Sequence, residues 1–130
     1  MQDSTYTFHA LSSADFDFFK SLLGSNALFS EEQLKEYGHD ETEDLSFPPS
    51  LVVRPENTEE ISKIMAYCHE HGIPVTPAGA RTGLSGGALP IHGGILLSME
   101  KFNRILHIDE KNHQVTTEPG DFSRKYCKTP

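Results

Sequence analysis

Apolar residues recur at helical spacing in three stretches of the chain. SADFDFFKSLLG (13–24) carries such a stripe, with Ser13 placed to cap the helix and Gly24 to stop it. SEEQLKEYG (30–38) repeats the design, with Ser30 as cap, early glutamates that suit the helix dipole, and Gly38 as terminator. NTEEISKIMAYCHEHG (57–72) is the clearest helix. Asn57 and Glu60 have capping-box spacing, Ile61, Ile64, Met65 and Cys68 fall on one face, and Gly72 stands where a C-cap belongs. Short apolar runs predict strands at LVVRP (51–55, stopped by Pro55), IPVTP (73–77) and GGILLSM (93–99). ILHID (105–109) and HQVTTEPG (113–120), joined by the polar EKN, predict a hairpin. Strand, helix, strand over this distance is a βαβ unit, so its two strands run parallel.

The fold class that follows is α+β, with an α/β-like first part. A βαβ–loop–β parallel core with flanking helices precedes the start of an antiparallel second subdomain. Residues 1–44 form a helical leader whose first dozen residues carry no pattern, 45–120 form the mixed domain, and 121–130 form a polar tail. No internal repeat is visible.

At 130 residues the chain suits one domain with a real core, since 36% of it is apolar. A net charge of −8 argues against nucleic acid or an anionic membrane surface as the main partner. No apolar run approaches membrane-spanning length. The first residues lack the basic and apolar regions of a secretory signal. Cys68 and Cys127 have neither metal nor disulfide-framework spacing, which fits a reducing cytoplasm.

The densest chemical signal is PAGARTGLSGGALP, Pro77 to Pro90, which leaves the end of the second core strand. Gly79, Gly83, Gly86 and Gly87 permit positive φ and close approach of the backbone. Successive amides can then converge on an anion, phosphate above all, with Thr82 and Ser85 adding hydroxyl donors. Ligands of α/β folds sit at such strand ends. The Walker pattern needs Gly-Lys-Ser/Thr at its close, and none is present. The Rossmann fingerprint opens a helix, whereas GALPIHGGILL runs into a strand. The reading is a pyrophosphate cradle between two strands.

The segment VTPAGARTGLSGGALPIHGGILLSMEKFNRILHIDEKNHQVTTEPG, with LVVRPENTEEISKI before it, closely resembles the FAD-binding domain of the FAD-linked oxidases. This is the p-cresol methylhydroxylase/vanillyl-alcohol oxidase (PCMH) type, and the similarity is nearest to the glycolate oxidase D-subunit and D-lactate dehydrogenase group. The resemblance runs over about residues 37 to 120. It implies that Gly79, Ala80, Arg81, Thr82, Gly83, Leu84 and Ser85 bind the FAD pyrophosphate, with Gly86 and Gly87 behind them. It also implies that the turn at Pro119 and Gly120 approaches the cofactor. Some relatives attach flavin through a histidine in this loop; none lies between Pro77 and Pro90, so noncovalent binding is expected. Where the family usually has Gly or Asn, this chain has Arg81. A left-handed backbone there costs Arg about 1 kcal/mol or more. Arg81 either offsets that cost by pairing with a phosphate or obstructs the nest.

After Gly120 the resemblance stops, and DFSRKYCKTP lacks the amphipathic helix found there in the family. Taking the last base of each codon with the first two of the next allows Leu-Phe-Thr-Glu-Val-Leu-Gln-Asn-Ala, which restores that helix in register. The expectation is a frameshifted tail; an ordinary divergent or trimmed terminus is the alternative. On either reading, the residues that oxidise a 2-hydroxy acid in the family have no counterpart here. No catalytic residue is assigned, and a truncated fragment inactive by itself is expected. Its hairpin would present an open edge and apolar faces, so copies should pair. A noncatalytic phosphate-ligand or protein-interaction module is the alternative from a different class, and a subunit completed by another chain is a third.

Other candidates read as structural. His69 and His71 are two apart at a helix end, which suits the helix dipole better than a metal. His39 with Asp40, Glu41, Glu43 and Asp44 lacks calcium-loop spacing and reads as a solvated loop. Cys68 reads as core, Lys101 and Arg104 as surface charge, and Phe16, Phe18 and Phe19 as helix packing.

Overall fold

The computed structural model describes residues 8–38, 46–81 and 86–120. Its order is α1 (Ser13–Leu23), β1 (Ala27–Leu28), α2 (Glu31–Glu36), β2 (Leu51–Val53), α3 (Thr58–His71), β3 (Val75–Ala78), β4 (Ile95–Ser98), β5 (Ile105–Asp109) and β6 (Gln114–Thr117). A four-stranded sheet has the order β1-β2-β4-β3, and β5 with β6 forms a separate two-stranded sheet. β2, β4 and β3 run parallel, while β1 joins β2 antiparallel. The two strands of the βαβ unit are thus parallel, as expected, but not neighbours: β4 lies between them. β3 is therefore an edge strand, which is where Pro77 is tolerated, because an edge needs no donor on its open side.

The side-chain period of two divides the core cleanly. Leu51, Val53, Ile95 and Leu97 face α1 and α3, where they meet Phe19, Leu23, Ile64 and Cys68. Val52 and Leu96 face the other way, with Leu28, Tyr37 and Ala78. All three β2 residues and all four of β4 are buried, and all but Ser98 are apolar, as expected of parallel strands covered on both faces.

Several local readings are corrected. Ser12, not Ser13, caps α1, because only Ser12 has an acid three residues on. Asp15 Oδ2 accepts from the Ser12 amide at 2.8 Å, and the Asp15 amide donates to Ser12 Oγ. α2 ends at Glu36 with Tyr37 as C-cap. Gly38 instead permits close approach, since a Cβ there would stand 2.9 Å from Pro48. Only half of the expected box forms on α3: Asn57 caps Glu60, but the Glu60 carboxylate takes the Glu56 amide. Met65 is 44% exposed, and Tyr67 takes its place on the packed face beside Ile64 and Cys68. One residue on from Ile64, Met65 is turned about 100° around the helix. β1 has two residues, too few to leave a periodic signal.

Gly24 and Gly72 do cap their helices. Phe19 is fully buried, Phe18 stacks on Tyr67 at 3.8 Å, and Phe16 packs at the margin of the core. The hairpin forms as expected, with a bulge between Ile105 and His107.

Candidate functional site

Parallel strands bring their carboxyl ends to one side of a sheet. In β3 and β4 these ends are neighbours, with Ala78 paired to Ser98. The next residues meet the end of the hairpin. The Met99 amide donates to the Ala78 carbonyl at 2.8 Å, and the Gly120 amide to the Phe102 carbonyl at 2.8 Å. A Cβ on Gly79 would stand 2.8 Å from the Pro119 carbonyl oxygen, and one on Gly120 would overlap the Met99 carbonyl. Gly79 and the Pro119–Gly120 turn, forty residues apart in the chain, are thus in backbone contact.

Around this contact the side chains are small. Gly79, Ala80, Gly87 and Pro119 are exposed, and nothing lies within 4 Å of the position a Gly87 Cβ would take. Gly86 has φ +72°, and its carbonyl accepts from the Leu89 amide as the chain turns back toward β4. Thr82, Gly83, Leu84 and Ser85 lie outside the described residues. Gly79, Pro119 and Gly120 are therefore brought together at the carboxyl ends of β3 and β4, with Gly79 and Pro119 exposed to solvent. That arrangement fits a pyrophosphate.

Arg81 does adopt the left-handed backbone, at φ +55°. Its side chain is occupied within the protein. Nη1 donates to the Glu36 carbonyl at 2.7 Å, and the guanidinium lies 4.5 Å over the Tyr37 ring. Tyr37 donates to Glu100 at 2.9 and 3.1 Å, and Arg54 pairs with the same carboxylate at 3.2 Å. Burial and the Glu100 hydrogen bond raise the Tyr37 pKa. Arg54 also reaches the Ser25 carbonyl, while its buried Nε has no partner among the described residues. The sequence reading missed Tyr37, Arg54 and Glu100. A signal existed for two of them: Arg54 directly follows β2 and Glu100 lies two residues past β4, so both fall at the carboxyl end of the sheet.

Of the remaining candidates, Arg104 and Lys101 lie beside the Pro119–Gly120 turn without a contact that points to phosphate. Arg104 forms a multidentate pair with Glu118, 2.7 Å at its shortest, and Lys101 is exposed. His71 stacks on Tyr67 at 4.0 Å. Cys68 is buried, which pushes its thiol up to about 12. The acidic stretch at 39–44 and Cys127 lie outside the described residues. Among the described residues, no three His, Cys, Asp or Glu side chains could hold a metal, and no helix is long and apolar enough to cross a membrane.

A family model described as the FAD binding domain matches residues 49–122, which include both segments that meet at Gly79 and Pro119. The chain belongs to this family of FAD-binding domains. FAD is accordingly its cofactor. Glycolate oxidase subunit GlcD of Bacillus subtilis (strain 168) is 43% identical over 84 residues, covering 65% of this chain and 18% of that protein. D-lactate dehydrogenase of Anaerostipes hadrus is 36% identical over 118 residues, covering 90% and 25%. The crystal structure of p-cresol methylhydroxylase with substrate bound superposes with a TM-score of 0.72 at 29% identity, covering 90% of this chain and 25% of that one. This is an FAD-binding domain of FAD-linked oxidoreductases with the p-cresol methylhydroxylase type of fold. It spans a quarter or less of the length of these relatives.

Proposed function

We propose that residues 79–87, together with Pro119 and Gly120, hold the FAD pyrophosphate noncovalently. The domain then forms the cofactor-binding part of an oxidoreductase acting on a small 2-hydroxy acid of the glycolate or D-lactate kind. One observation carries the site: Gly79 and the Pro119–Gly120 turn touch at the carboxyl ends of β3 and β4. The relatives named for glycolate and D-lactate support the substrate class. Noncovalent attachment is supported by the absence of histidine between Pro77 and Pro90. The nearest histidine beyond, His92, has its ring 5.2 Å from Phe8. When bound, the flavin would supply the redox chemistry, accepting hydride from the alcohol carbon. The residues of this chain bind the diphosphate end and orient it.

A reducing cytoplasm is the proposed compartment, since Cys68 and Cys127 have neither metal nor disulfide-framework spacing. The hairpin is proposed to pair with a second copy of the chain. Among the described residues neither edge of the hairpin pairs with another strand, and Ile105, Leu106, Ile108 and Val115 are 42–57% exposed.

Titration with FAD, read by flavin fluorescence, tests the site. The expected result is saturable one-to-one binding that ADP competes away and riboflavin does not. No binding, or displacement by riboflavin alone, would refute a pyrophosphate cradle.

A further inference from the structure

We infer that Arg81 is a positioning residue: docked on the C-terminal end of α2, it fixes the direction in which the chain leaves β3 toward the cofactor, rather than ligating phosphate itself. The inference rests on the FAD reading above and concerns how that site is held.

Three observations meet at this residue. Its backbone is left-handed, a conformation that disfavours a side chain with Cβ and persists only where the surroundings hold it. The surroundings here are specific. The guanidinium donates to the Glu36 carbonyl in the last turn of α2, where unpaired carbonyls and the negative end of the dipole favour a cation. It also lies over the face of Tyr37, a ring that is itself buried and tied through its hydroxyl to Glu100. Glu100 is held in turn by Arg54, just past β2. The anchor thus connects the exits of three parallel strands: Arg81 past β3, Glu100 past β4 and Arg54 past β2. A guanidinium spent on a carbonyl and a ring points to support of the backbone, and the left-handed turn at Arg81 is what that support maintains.

Two substitutions separate positioning from ligation. Arg81→Ala keeps the Cβ and loses both anchors, whereas Arg81→Gly loses the anchors but also removes the steric reason for them. A positioning role makes the alanine variant bind FAD about tenfold more weakly than wild type and the glycine variant distinctly less affected. The ionic-strength dependence of binding should match wild type in the glycine variant. Equal losses in the two variants, with a flattened salt dependence, would make Arg81 a phosphate ligand and overturn the inference.

The anchor also has a readout that needs no cofactor. Proton resonances of the Arg81 side chain should carry an upfield ring-current shift that Tyr37→Phe preserves and Tyr37→Leu abolishes. Unshifted resonances in the wild-type chain would overturn the docking. Shifted resonances in a wild-type chain that fails to bind FAD would instead overturn the cofactor reading, and the positioning role with it.

Discussion

Gly94 and Gly79 are both needed as glycine, for different reasons. Gly94 has φ +70°, and a Cβ on it would overlap the Pro74 carbonyl and ring. Gly94→Ala should therefore destabilise the domain by about 2 kcal/mol or more, through a strained backbone and a clash that neither partner can relieve. The thermal midpoint should fall by roughly 6–12 °C, which calorimetry would read. Gly79 has no such backbone strain, only the close approach of the Pro119 carbonyl. Gly79→Ala should push the Pro119 turn away and weaken FAD binding several-fold more than it lowers the melting temperature. An equal effect on both would mean that this contact belongs to the core and not to the site.

At the scale of elements, a single carboxylate adds a polar tie to the apolar packing of α1 against α3. Asp15 closes the capping box of α1 and also accepts from the Tyr67 hydroxyl of α3 at 2.6 Å. Burial acts to raise the Asp15 pKa, but the hydrogen bonds from Tyr67 and Ser12 outweigh it and the net shift is downward. A lowered folded-state pKa means stability that is present above the unfolded value near 3.8 and lost as pH falls below it. The alkaline side mirrors this. The Asp15 hydrogen bond pushes Tyr67 up to about 12 from 10.0, and burial pushes Cys68 up to about 12 from 9.0. Both groups are raised, so their contribution is intact below pH 9 and is lost progressively from there to about 12. Denaturant midpoints across this range should show the decline, and Tyr67→Phe should remove the part that begins near pH 10. Ser12→Ala should cost about 1 kcal/mol as a lost cap, whereas Ser13→Ala should change stability little.

Across the whole molecule, burial is divided unevenly. The parallel sheet is covered on both faces, whereas every residue of β6 is exposed and β5 is little better covered. An isolated two-stranded hairpin is marginal in water. This one is held at its base by Arg104–Glu118 and by the Gly120 and Glu118 amides. If copies pair through it, sedimentation should show association that grows with concentration, and Val115→Lys with Ile108→Lys should return the chain to monomer. Association that survives both substitutions would place the contact elsewhere. Because the hairpin base carries Pro119 and Gly120, pairing should also alter FAD affinity.

The sequence by itself determined the elements whose stabilising forces are local. Capped helices show their caps to within one residue, a buried parallel strand shows an apolar run, and a glycine-rich exit from a strand shows the need for bare backbone. The left-handed turn at residue 81 is expected only through the family resemblance, because relatives usually have Gly or Asn where this chain has Arg81. Tertiary structure alone decided the rest. It inserted β4 between β2 and β3, since strand order depends on how helices cover a sheet and leaves no trace in any one segment. It chose Tyr67 over Met65 for the packed face of α3, because α1 supplies the Asp15 partner. It sent the Arg81 guanidinium to α2 and Tyr37, a destination forty-odd residues away that only the folded arrangement of three strand ends makes available.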